Sequence, residues 1–157
     1  MNGTCEFLSS IDELGYFNTL LQDILWELGN TVKPLYVTGH YSEPDCDDYY
    51  RTQVHIRERL DTSKDMKTRS AHNCTAPHAT YATSVSDAAR RALWSLCYTH
   101  RQDLSFTNYH HLPRRTSGTE DIVVPLGEAG NVLARVTAAC WYFATSRIKS
   151  ACARIPL

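Results

Sequence analysis

The clearest structural signal in this sequence is the stretch VSDAARRALWSLC, residues 85–97. Its apolar residues recur at intervals of three and four, the spacing that places side chains on one face of an α-helix. This stripe consists of Val85, Ala88, Ala89, Ala92, Leu93, Leu96 and Cys97. Ser84 or Ser86 can supply the N-cap, and His100 with Arg101 suits the negative C-terminal end. The stretch therefore predicts an amphipathic helix that packs against the rest of the fold.

A second helix is predicted upstream, over about residues 17–28. Its apolar residues have the same helical spacing, and Gly29-Asn30 provides a C-terminal stop signal. The stripe consists of Phe17, Leu20, Leu21, Ile24, Leu25 and Leu28. We therefore expect this helix to bury one face in the same core as residues 85–97.

Two strands are predicted between the helices. Leu35–Tyr41 is rich in β-branched and aromatic residues, and Tyr49–Glu58 alternates apolar with polar side chains. The acidic loop Glu43–Asp48 joins them, so the pair forms a hairpin. A third strand is expected either within Met66–His72 or within His78–Ala82. The predicted fold is α+β, with helices layered on a small antiparallel sheet in the order α-β-β-β-α.

The pattern predicts one domain with a C-terminal extension. The α+β domain covers residues 10–103, and residues 104–127, which include Pro113, Gly118 and Pro125, form a linker. Residues 128–150 then predict an amphipathic helix. We expect this last helix to dock on the domain or to mediate association with another protein.

Composition narrows the class of protein. The chain of 157 residues has no apolar run of the roughly 18–20 residues that a bilayer requires, and its N-terminus resembles no signal peptide. We therefore expect a cytoplasmic or nuclear protein, away from membranes, with reduced cysteines. Residues 1–50 carry a net charge of −8, and residues 51–157 carry +7. This asymmetry favours internal charge pairing or head-to-tail contact between copies.

The order of elements and the second helix resemble the double-stranded-RNA-binding domain. That family's second helix begins with a lysine-rich run that continues A-A-x-x-A-L, and here Ala88-Ala89 and Ala92-Leu93 keep this spacing after Val85. The passage from Leu28 through Pro34 to Tyr36 is also similar to the family's entry to its first strand. The resemblance covers roughly residues 15–100, and it implies a helix–sheet scaffold that binds RNA or, in degenerate copies, protein.

The RNA-contacting features of that family are altered here. The positions that correspond to its phosphate-binding lysines are Ala82, Thr83 and Ser86, none of which is charged. The loop that enters the minor groove in the family corresponds here to the acidic Glu43–Asp48, which would repel phosphates. RNA binding with residual affinity is therefore the disfavoured alternative. The cations that would carry it are Lys64, Lys67, Arg69, Arg90 and Arg91.

Aromatic residues away from the apolar stripes are the best positive signal of function. Trp26 and Trp94 lie off the stripes of their helices, and Trp141 with Tyr142 lies off the stripe of the last helix. Each ring is either covered by another segment, such as the extension from Ser105 onward, or offered to a partner. The leading hypothesis is a noncatalytic protein–protein interaction module, an adaptor or a homodimer, with these four residues as anchors.

No residue pattern for catalysis or cofactor binding is found in the sequence. It contains no nucleophile elbow and no Gly-rich phosphate loop. The tightest group of metal-ligand types is His72-x-Cys74-x3-His78, but structural zinc sites usually show paired ligands such as C-x2-C. We therefore expect no enzymatic activity, metal or cofactor. An enzyme with an unfamiliar site, which a deep polar pocket would indicate, is a third alternative.

Overall fold

The computed structural model describes residues 4–10, 15–61, 64–115 and 122–123. The predicted α+β order of helix, three antiparallel strands and helix is confirmed. The elements in chain order are β1 (Thr4–Ser10), α1 (Tyr16–Glu27), β2 (Leu35–Ser42), β3 (Tyr49–Arg59), β4 (Met66–Asn73), α2 (Tyr81–Thr99), a short 3-10 helix (Asn108–His111), β5 (Arg114–Arg115) and β6 (Ile122–Val123). The predicted helix at 128–150 lies outside the described residues.

The principal sheet has four antiparallel strands in the order β1-β2-β3-β4. The strand β1, which was not predicted, pairs with β2 from Thr4↔Ser42 to Ser10↔Tyr36. Of the two positions proposed for the third predicted strand, the first is occupied by β4. Within the second, His78 forms a single bridge with Tyr50, and the chain then enters α2. The strands β5 and β6 form a separate two-stranded pair.

The core lies between α1, α2 and one face of the sheet. The sheet contributes the buried residues Tyr36, Val54 and Ile56, which alternate with more exposed neighbours as half-buried strands require. Both predicted helix stripes are buried there, apart from Leu20 and Leu28, which are partly buried against the cluster. Leu104 and Leu112, from the segment after α2, also belong to the core. This segment therefore folds back onto the domain.

The start of α2 differs from the prediction. The helix begins at Tyr81, and the hydroxyl of Thr80 accepts a hydrogen bond from the backbone N–H of Thr83 at 3.2 Å. Thr80 is therefore the N-cap, and the predicted caps Ser84 and Ser86 were wrong because the helix begins one turn earlier. Ser84 is instead completely buried.

A chain of three buried hydroxyls crosses the core from the sheet to α2. The Oγ1 atoms of Thr38 and Thr52 are 2.8 Å apart, and Thr52 Oγ1 is 2.8 Å from Ser84 Oγ. All three side chains are at most 2 % exposed. Buried polar groups require such partners, so this chain compensates the loss of water and links β2, β3 and α2.

We expect Thr52→Val to lower the free energy of unfolding by about 1–3 kcal/mol, because valine keeps the shape but leaves Thr38 and Ser84 without this partner. Urea denaturation followed by circular dichroism measures the change. The triple variant T38V/T52V/S84A removes all three hydroxyls. Its loss in free energy of unfolding should be less than three times the loss of Thr52→Val, because no hydroxyl is left without a partner. Equal stability of Thr52→Val and the wild type would contradict a role for the hydroxyl chain.

Candidate interaction surface

The side of α1 that faces away from the core is exposed and aromatic. Tyr16 and Trp26 have 62 % and 66 % of their surface exposed, although both are large hydrophobic side chains. Their neighbours on this side, Thr19, Asp23 and Glu27, are also exposed. At about 1.5 Å per residue, the two aromatic residues lie about 15 Å apart along the helix axis. We call these five residues the α1 surface.

The α1 surface is also acidic. It carries Asp23 and Glu27, and α1 has no basic residue in its last turn, where the helix dipole is negative. The negative charge of this surface also acts on Tyr109 in the short 3-10 helix. Burial raises the pKa of the Tyr109 phenol, and the charges of Asp23 and Glu27 raise this pKa further. The aromatic rings therefore lie in a negative electrostatic environment.

A second exposed apolar surface lies at the end of the β3–β4 hairpin. Leu60 is 40 % exposed and Met66 is 43 % exposed. Arg59 lies directly opposite Met66 in the strand register, and Lys64 and Lys67 are exposed beside it. We call these five residues the hairpin surface. It combines aliphatic side chains with basic ones, and the acids Asp61 and Asp65 are also exposed in this segment. The α1 surface combines aromatic side chains with acidic ones.

The four aromatic anchors predicted from the sequence do not share one environment. Trp26 is exposed, but Trp94 is only 4 % exposed and belongs to the core. The guanidinium of Arg90 lies 4.7 Å from the centroid of the Trp94 ring, a cation–π contact. Trp94 is therefore a core residue rather than an exposed anchor. Trp141 and Tyr142 lie outside the described residues.

A buried carboxylate explains why Arg90 is not a surface cation. One oxygen of Asp87 accepts hydrogen bonds from the backbone N–H of Thr75 at 2.7 Å, from the Thr75 hydroxyl, and from His78 Nε2 at 2.8 Å. The other oxygen accepts from the Arg90 guanidinium. Asp87 is completely buried, and Arg90 is 6 % exposed. Arg90 is thus directed towards Asp87 and away from any phosphate in solvent.

The protonation of Asp87 follows from these contacts. Burial alone would raise the pKa of the carboxyl, but the hydrogen bonds from His78 and Thr75 and the charge of Arg90 outweigh it. The pKa is therefore held well below its usual range, and Asp87 is ionised at neutral pH. A buried carboxylate with this many donors stabilises the fold as long as it stays charged.

The other cations of the RNA alternative lie on two elements. Lys64, Lys67 and Arg69 are exposed on the β3–β4 hairpin, where Arg69 forms an ion pair with Glu58 at 3.5 Å. Arg91 is half-buried on α2. Burial, together with the charges of Arg115 and Arg91, lowers the pKa of His72 to about 4. Arg91 therefore lies near the helix-facing side of β4.

The remaining features of the predicted RNA surface are not cationic. In the first turns of α2, Ala82 is exposed, and Thr83 and Ser86 are half-buried. The loop Glu43–Asp48 is exposed throughout. One of its acids, Asp48, has a lowered pKa because it accepts a hydrogen bond from Ser42 and lies 3.2 Å from His40. This loop therefore presents negative charge to solvent.

A cavity of about 410 Å³ lies between the outer faces of β2 and β3 and the segment that follows β4. Its polar lining includes Arg51, Gln53, Asn73 and Cys74. Gln53 donates a hydrogen bond to Asn73 at 2.9 Å, and the Cys74 sulfur accepts one from the backbone N–H of Thr52. None of the lining residues is a histidine, a lysine or a carboxylate.

Comparisons with protein-family models, with curated proteins and with solved structures found no match. Within the part of the chain that the structure describes, no three metal-ligating side chains gather into a site. In the same part, no helix is both long and apolar enough to cross a membrane. The geometry of the described surfaces is therefore the evidence on function.

We expect Asp87→Asn to destabilise the fold by about 3–5 kcal/mol at neutral pH, because it leaves Arg90 buried without its counter-charge. Asp103→Asn is the matched control: Asp103 also contacts a histidine, His100, but it is 68 % exposed. That variant should cost less than about 1 kcal/mol. Thermal and urea denaturation measure both changes, and equal costs would contradict the role of Asp87.

The stability difference between the wild type and Asp87→Asn should also depend on pH. The folded-state pKa of Asp87 is lowered, so its contribution is fully present above the unfolded-state pKa of about 3.9 and is lost as the pH falls below it. We therefore expect the difference to narrow between about pH 5 and pH 2. A constant difference over that range would show that the charge of Asp87 is not responsible.

Proposed function

We propose that this chain is a noncatalytic protein-interaction module that binds its partner through the α1 surface. The observation that carries the proposal is the exposure of Trp26, at 66 %, on the helix side opposite the core. Tryptophan is the residue type most enriched among the dominant contacts of protein interfaces, because it buries a large area and has few rotamers to lose. Tyr16 on the same surface provides a second aromatic contact.

The chemistry of the α1 surface indicates what kind of partner it binds. The aromatic rings require apolar side chains to cover them, and Asp23 with Glu27 favours cations in the adjacent positions. A segment that alternates aliphatic and basic side chains meets both requirements, whereas an acidic segment would be repelled. We therefore expect the partner surface to be both apolar and basic.

The scaffold in this proposal is a degenerate double-stranded-RNA-binding domain, and its cellular location is the cytoplasm or the nucleus. The free thiols of Cys46, Cys74 and Cys97 suit those reducing compartments. RNA binding with residual affinity is the second candidate, and the exposed Lys64 and Lys67 favour it. It is disfavoured by the exposed acidic loop and by the burial of Arg90 against Asp87.

Peptide selection tests the proposal directly, because the peptides stand in for the partner surface. We expect a random peptide library, displayed on phage and selected on the immobilised chain, to yield sequences rich in aliphatic and basic residues. Trp26→Ala should weaken the binding of the synthesised peptides about 30-fold, which corresponds to about 2 kcal/mol for a dominant contact. Fluorescence anisotropy measures the affinity.

Phe106→Ala is the matched control, because Phe106 is completely exposed but does not belong to α1. It should leave peptide binding within about twofold of wild type, the usual effect of a residue outside the dominant contacts. Equal losses for both variants, or selected peptides that are acidic, would contradict the proposal. Saturable binding to a labelled RNA duplex that weakens steeply with salt would instead favour the RNA candidate.

A further inference from the structure

We infer that the partner of the α1 surface is the hairpin surface of a second copy of this chain, so that two chains form a reciprocal two-fold dimer. The inference rests on the proposed function, since it names the partner of the same site. Both surfaces are exposed within one chain. Their contact therefore has to be made between two molecules.

The two surfaces contain most of the large hydrophobic side chains that are exposed among the described residues. Among the described residues, the exposed large hydrophobic side chains are Tyr16, Trp26, Leu60, Met66 and Phe106. Two of the five lie on the α1 surface, and two lie on the hairpin surface. Burial of aromatic rings against Leu60 and Met66 removes apolar area from water on both sides, and this is the main source of affinity.

The charges of the two surfaces are complementary. The α1 surface carries two carboxylates and no base, whereas the exposed charged residues next to Leu60 and Met66 are three bases, Arg59, Lys64 and Lys67, and two acids, Asp61 and Asp65. The hairpin segment 58–69 also contains three acids, and its net charge is +1. The charges therefore orient the contact, and the apolar residues supply its strength.

The dimensions of the two surfaces are compatible. Tyr16 and Trp26 are separated by about 15 Å along α1, and the two strands of a hairpin are about 5 Å apart. The separation of the paired strands β3 and β4 is therefore smaller than the separation of the two aromatic residues. Asp23 lies between them in the sequence of α1 and faces the same side, where it can meet Lys64 or Lys67.

A two-fold axis allows both contacts to form at once. Each chain carries one α1 surface and one hairpin surface, so a reciprocal pair uses all four and leaves none exposed. Stable interfaces bury at least about 1,200 Å² in total, and the repeated contact means that each half has to supply only about 600 Å². A single head-to-tail contact would instead leave one unpaired surface at each end of the pair, and further molecules would add to it as an open filament.

Charge exchange between the two surfaces tests this inference. We expect sedimentation equilibrium of the wild-type chain to show a monomer–dimer equilibrium, which D23K/E27K and K64E/K67E should each weaken by at least tenfold. In each variant alone, like charges meet at both contacts. In an equimolar mixture, the positive α1 surface of the first variant meets the negative hairpin surface of the second, and the remaining contact is unaltered. The mixture should therefore dimerise nearly as well as the wild type.

The control is Arg51→Glu, which reverses an exposed cation outside both surfaces and should leave the dimer constant within about twofold, because distant exposed charges are screened by salt. Circular dichroism checks that every variant is folded. A wild-type chain that stays monomeric, a mixture that does not dimerise, or species that grow beyond the dimer would each overturn the inference. A monomeric chain that still binds basic apolar peptides through Trp26 would overturn only the self-association and leave the proposed function standing.

Discussion

The buried Asp87 carboxylate ties α2 to the segment between β4 and α2, and the position of α2 in the fold depends on this contact. Its donors come from two parts of the chain: Thr75 and His78 precede α2, whereas Arg90 lies within it. An ionised group is stable in a core only with this degree of compensation. Because Arg90 also packs over the Trp94 ring, the side of α2 that carries Asp87, Arg90 and Trp94 faces the interior of the fold. On the aromatic side of α1, by contrast, Tyr16 and Trp26 keep most of their surface exposed.

Periodicity was sufficient to predict the two helices and the β2–β3 hairpin, because each buries one face against the same core. The strand β1 could not be predicted in this way. Its sequence, TCEFLSS, has no clear alternation, and its pairing with β2 depends on a strand edge that only the folded hairpin provides. The position of β4 was ambiguous for a related reason: it is an exposed edge strand, so burial imposes little pattern on its side chains. Local sequence predicts an element well where that element contributes to the core.

The same limit applies to the candidate surface. The exposure of Trp26 follows from helix geometry, since it lies opposite a single apolar stripe. Trp94 also lies off its stripe, yet it is buried. It forms a second row at helical spacing with Asp87 and Arg90: Thr75 and His78 donate to Asp87, and Arg90 packs over the Trp94 ring. Charged rows on helices usually face solvent, and only the tertiary contacts distinguish this one. The hairpin surface gave no signal in the sequence, because Leu60 and Met66 are isolated apolar residues in a polar segment.

The three hydroxyls in the core have one more property, which concerns the direction of their protons. Each hydroxyl carries a single proton, so Thr52 cannot donate to Thr38 and to Ser84 at the same time. When the Thr52 proton lies within the hydroxyl chain, either Thr38 donates to Thr52 and Thr52 donates to Ser84, or Ser84 donates to Thr52 and Thr52 donates to Thr38. In that arrangement the hydroxyl chain has two polarities that interconvert by concerted rotation, and each hydroxyl polarises the next. Through this array, the orientation of a dipole in β2 is coupled to the orientation of a dipole in α2.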